Sequence, residues 1–151
     1  MIRCKWQSSR KRDYNSLDST SAISANYKGN ILDKRLLELP ADVQIRLELL
    51  KAIPKFVPDD SRYLPYAGYL PAEKRSEAES KLNNLIDRIA SGIEATPHKG
   101  FVLTEFRKTF DYFETSDTED RERFCSYLEN IMDAINMDSS EGVINEWMYG
   151  F

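Results

Sequence analysis

Three side chains in the last third of the chain, Asp117, Asp120 and Arg121, have the types and spacing best suited to chemistry. Placed at 100° per residue, they fall on or beside one helix face, at its N-terminal end. Two carboxylates three residues apart can bind a cation or divide the work of acid and base. The competing reading is structural. Carboxylates at a helix start complement the macrodipole, and Arg121 can pair with them or with the C-terminal carboxylate. A catalytic centre normally draws converging groups from several segments, and here one helical turn supplies all three, so the structural reading is preferred.

Other chemical constellations are thinner. A nucleophilic pair would need Cys125 to meet the single histidine, His98, and Cys125 follows Phe124 at the edge of an apolar face, where small inert thiols are common. One histidine in a breaker segment is a poor start for a zinc site. Asp138-Ser139-Ser140-Glu141-Gly142 lacks the spaced carboxylates of a calcium loop and reads as a helix cap. The six glycines are scattered singly, so no phosphate-cradling loop is expected. No catalytic residue, metal or cofactor is assigned on this basis.

Helices must position these groups. A first helical region is expected over 36–57, with Pro40 in its first turn. Its Val43, Leu47 and Leu50 run beside Ile45, Leu49, Ile53 and Phe56, a breadth of apolar surface that predicts a central helix ending near Pro54. Pro71 suits the first position of the next helix, whose Ala78, Leu82, Leu85, Ile86, Ile89 and Ile93 keep the i, i+3, i+4 spacing closely. Thr96-Pro97-His98-Lys99-Gly100 breaks it, and Val102, Leu103, Phe106, Phe110 and Phe113 form a third stripe. Ser116 with Glu119 spells a capping box ahead of Phe124, Tyr127, Leu128, Ile131, Met132 and Ile135. Ser139-Ser140 can cap a short last helix carrying Val143, Ile144, Trp147 and Met148. No stretch alternates with period two. The expected fold is an all-α compact bundle of about four to five helices, a single domain over 31–151, preceded by a flexible basic N-terminal arm over 1–30.

At 151 residues the chain can bury roughly 68–70% of its unfolded surface. Its apolar runs are far too short for a membrane span, and its start has no apolar stretch behind the charge, so a soluble protein is expected. Two cysteines in different kinds of segment suggest reduced thiols and a cytoplasmic setting. The net charge of −4 hides a gradient: residues 1–30 carry +4, residues 31–113 are neutral and residues 114–151 carry −8. Arg10-Lys11-Arg12 near Trp6 is a weak nucleic-acid signal, and a solubilising tail explains it better.

The acidic excess has a direction. Glu122, Ser126, Glu129 and Asp133 project opposite the apolar face of their helix, and with Asp138, Glu141 and Glu146 they make a candidate patch for a basic partner. Tyr63, Tyr66 and Tyr69, in a loop over 58–70, are candidate interface anchors.

Several of these segments also carry a resemblance. Asp117-Thr118-Glu119-Asp120-Arg121-Glu122, Cys125, Ile131-Met132-Asp133, Ser139-Ser140-Glu141-Gly142 and the ending Asn145-Glu146-Trp147-Met148-Tyr149-Gly150-Phe151 resemble a bacterial family known as domain of unknown function 4844, over about residues 100–151. The resemblance implies a bacterial source and carries no activity. The expected function is a protein-binding module, for example a small inhibitor of the immunity type acting through the acidic helical face and the tyrosine loop. The alternative is a hydrolase or metal-dependent enzyme using Asp117, Asp120 and Arg121, with His98.

Overall fold

The computed structural model describes residues 35–58, 68 and 70–150. The arm expected over 1–30 and the tyrosines Tyr63, Tyr66 and Tyr69 lie outside the described residues. Among those described, five helices pack around one apolar core and no strand forms, which makes the fold an all-α bundle.

Helix α1 is Val43–Ala52. It is shorter than its apolar pattern suggested. Proline geometry sets both limits: a turn from Pro40 O to Val43 N–H leads into it, and Ile53, extended ahead of Pro54, ends it. Helix α1 is also peripheral rather than central. It buries Val43 and Leu47, while Ile45 and Leu49 are each 63% exposed. Past its end, the buried Lys55 donates to Leu50 O at 3.0 Å, Ile53 O at 2.9 Å and Asn83 Oδ1 at 2.8 Å. These bonds satisfy carbonyls that a helix C-terminus leaves open. Phe56 then turns inward at φ 58°, its N–H donating to Tyr127 Oη at 2.6 Å.

Helix α2, Ala72–Gly92, starts one residue after Pro71 and buries Ala78, Leu82, Leu85, Ile86 and Ile89, the face its spacing marks. Gly92 lets the Phe101 ring approach the α2 backbone closely. A Cβ there would stand 2.5 Å from the Phe101 ring. Helix α3, Lys99–Phe113, returns along α2 with Val102, Leu103, Phe106, Phe110 and Phe113 inward. Arg88 of α2 ties the two together, donating to Glu105 Oε2 at 2.7 Å and Thr109 Oγ1 at 2.8 Å.

Helix α4, Thr118–Ala134, is the central element: it packs on α1, α3 and α5 and is buried around much of its circumference. Its Phe124 stacks on Phe113 with ring centroids 4.3 Å apart. The capping box does not form. Asp117 is the N-cap, with no side-chain cap bond. Helix α5, Val143–Tyr149, follows two consecutive left-handed residues, Glu141 at φ 56° and Gly142 at φ 84°. Ser139 and Ser140 therefore do not cap it; Ser139 Oγ accepts from Glu141 N–H at 2.9 Å instead. Helix α5 is docked on the bundle, with Met148 buried and Trp147 against Phe110 at 5.9 Å.

Candidate functional site

The carboxylate–arginine cluster does not converge. Asp117 is exposed, Asp120 is buried and Arg121 is half-buried. Arg121 donates from Nη1 to Glu114 O at 3.3 Å and from Nη2 to Thr118 Oγ1 at 3.4 Å. Those contacts tie the α3–α4 turn to the first turn of α4. They do not assemble an acid–base pair, and no group of three metal-ligating side chains occurs among the described residues. His98 is the N-cap of α3 and is remote in role from Cys125, which is fully buried and disulfide-bonded. The expectation of a free thiol at Cys125 is corrected accordingly.

The outward acidic stripe is corrected too. Glu122 and Glu129 are 6% and 7% exposed, and of the three carboxylates assigned to that face Asp133 is the exposed one. Glu122 accepts from Tyr149 Oη at 3.2 Å, so α5 lies over a side of α4 that the helical projection placed in water. A projection ranks the faces of one helix and says nothing of what other elements lay against the weaker face.

A different polar group lies where the segment before α1, the start of α3 and the α4–α5 connection meet. Lys99, the first residue of α3, is 3% exposed, and a cation at that end opposes the helix dipole. Its compensation is close at hand: Nζ lies 2.8 Å from Glu141 Oε1 and 2.8 Å from Asp138 Oδ1. Arg35 Nη1 adds a third contact to Glu141 Oε1 at 3.0 Å. Glu141 is itself buried and holds the left-handed backbone noted above, a conformation that costs a non-glycine residue on the order of 1 kcal/mol or more. The paired carboxylates explain how both the buried lysine and the strained turn persist. Lys99 and Arg35 were missed from the sequence, although a lysine opening a helix is a legible anomaly.

An open cleft of about 670 Å³ adjoins this group, lined by Arg35, Leu36, Glu38, Lys99, Asn136 and Asp138 together with Leu37. Asn136, at φ 56°, reaches across it, its Nδ2 donating to Glu38 O at 3.1 Å. Leu36 is 67% exposed at the cleft.

A second surface feature is apolar. Ile45 and Leu49 stand one helical turn apart on the solvent side of α1, with the Arg46–Asp42 and Lys51–Glu48 ion pairs nearby on the same helix. Lys51 also bridges to Asp87 of α2 at 2.6 Å, and that hydrogen-bonded carboxylate raises the Lys51 pKa above the usual lysine value.

No curated protein and no solved structure matches this chain. A family match does, and it reaches beyond the C-terminal third to take in all five described helices and the α1 surface, leaving out Arg35, Leu36 and Leu37 of the cleft. Over residues 38–151 the chain belongs to the family described as Domain of unknown function (DUF4844).

Proposed function

We propose that this chain is a protein-binding module that docks the apolar surface of a partner protein on α1. The observation that carries the reading is the exposure of Ile45 and Leu49, two large apolar side chains at i, i+4 spacing on one helix face. A helix in a finished core would bury both, and each side chain covered by a partner stabilises a complex by roughly 1.5–3 kcal/mol before the costs of association. Paired charges on the same helix suit the rim of such a contact, where they add register more than affinity. The chain's net charge of −4 is the acidic character that an inhibitor of the immunity type would use toward a basic partner.

No observation favours the enzyme reading at Asp117, Asp120 and Arg121 over their structural roles. The test is affinity capture from the native host with wild type and with an Ile45→Glu/Leu49→Glu double variant as bait. The expected result is a partner recovered in stoichiometric amount by wild type and lost by the variant, with the helical circular dichroism of the two unchanged. Equal capture by both would remove α1 as the docking surface.

A further inference from the structure

One strip of α4 combines charge, burial and a disulfide. Glu122, Cys125 and Glu129, at i, i+3 and i+7, line the side away from the apolar stripe, and they are 6%, 0% and 7% exposed. Buried carboxylates persist only where partners replace the lost water, and both glutamates have partners. Tyr149 of α5 serves Glu122 at one end of the strip. Helices α1 and α3 approach α4 from other sides, through Leu50 beside Ile131 and through Phe113 stacked on Phe124.

Cys125 identifies what else lies here. It is disulfide-bonded, and the chain contains one other cysteine, Cys4. A disulfide holds its two Cα atoms within about 7 Å, so the bond delivers the N-terminal segment to this strip. Reach is no obstacle. The chain from Cys4 to Arg35 extends to roughly 100 Å at about 3.3 Å per residue. Charge agrees as well: residues 1–30 carry +4, whereas Glu122, Glu129 and Asp133 on this side of α4 outnumber Arg123 beside them.

We infer that the N-terminal segment, residues 1–34, which lies outside the described residues, docks on this side of α4 as an intramolecular cover, tethered by a Cys4–Cys125 disulfide and released by dithiol reductants. Two electrons and two protons from a dithiol turn the S–S bond into two thiols, and the dithiol itself becomes a disulfide. The released form presents an acidic face that the oxidised form keeps covered. The redox state of one bond thereby sets what this side of α4 can meet. The inference stands apart from the α1 surface, and failure of either leaves the other intact.

The experiment uses the full chain equilibrated with oxidised glutathione, the same chain after dithiothreitol, and Cys4→Ser. Non-reducing peptide mapping of mixed isotopically light and heavy chains should recover the Cys4 and Cys125 peptides joined within one isotope class, and dithiothreitol should separate them. Carbodiimide coupling of glycine ethyl ester then reads the cover. Labelling of Glu129 is expected to be several-fold slower in the oxidised chain than in the reduced chain or in Cys4→Ser, while the exposed Glu48 labels alike in all three. The reduced wild type makes this comparison without any substitution. Light–heavy pairs would mean that the bond joins two copies, and free alkylation of both cysteines in the oxidised chain would mean that no bond forms; either result overturns the inference. So does one rate of Glu129 labelling in all three forms, because another part of the fold would then be its cover.

Discussion

Helices α1 and α4 invert each other. The first carries an apolar pattern broad enough for a core helix yet leaves Ile45 and Leu49 in water. The second carries an acidic stripe suited to solvent yet buries Glu122 and Glu129. Both departures have one cause. Periodicity records the asymmetry of a helix about its own axis, whereas burial depends on how many neighbours surround it. Helix α1 packs on α2 and α4, whereas α4 lies among α1, α3 and α5.

The sharpest way to break this comparison is charge reversal on α4. Glu122→Lys and Glu129→Lys should each cost about 3–5 kcal/mol, because a buried site loses its carboxylate and gains an uncompensated cation. Urea unfolding monitored by circular dichroism reads this directly, and a change below about 0.5 kcal/mol would return these residues to the surface. Next in size, Tyr127→Phe strands the buried Phe56 N–H that its hydroxyl accepts, at a cost of about 1–3 kcal/mol in the same assay.

A third expectation concerns pH. Burial alone would raise the Glu105 pKa, but the bonds from Lys108 and Arg88 outweigh it and hold the carboxyl below the usual carboxylate range. A pKa lowered in the folded state contributes stability above the unfolded value, and that contribution disappears as pH falls through the folded value. Thermal melts taken down through the acidic range should therefore converge for wild type and Glu105→Gln, with wild type ahead at neutral pH; parallel curves would exclude this source of acid sensitivity. The smallest effect belongs to α1. Ile45→Lys and Leu49→Lys should each change stability by no more than about 0.5 kcal/mol, and a large loss would mean that this face is structural.

Much of the bundle was legible in the sequence. The inward residues of α2 and α3 follow 3.6-residue spacing almost without exception, because one dominant neighbour faces each stripe. Capping was less legible. Ser116–Glu119 has the letters of a capping box, but Asp117 takes the N-cap, and Ser139 spends its hydroxyl on Glu141 N–H. Of the candidate site, the part within one segment was partly visible, since Glu141-Gly142 stood out even though it was read as a cap. The part that converges was not. Arg35, Lys99 and Glu141 are far apart in the chain, and only the tertiary path of α3 and the α4–α5 turn brings them together.

The clamp at Glu38 has a kinetic side. Its bond to Asn136 spans 98 residues of chain, and the bridge from Leu36 to His98 spans most of that distance. Loop-closure entropy makes such contacts late arrivals in folding, after α2, α3 and α4 have condensed through nearer partners. The segment 35–38 is then held by few bonds laid on a finished scaffold, and it belongs to the portion of the molecule that opens at the lowest free energy. In amide exchange the two N–H groups that close the bridge, Leu37 of this segment and Lys99 of α3, are expected to trade hydrogen for deuterium well before the amides of α4.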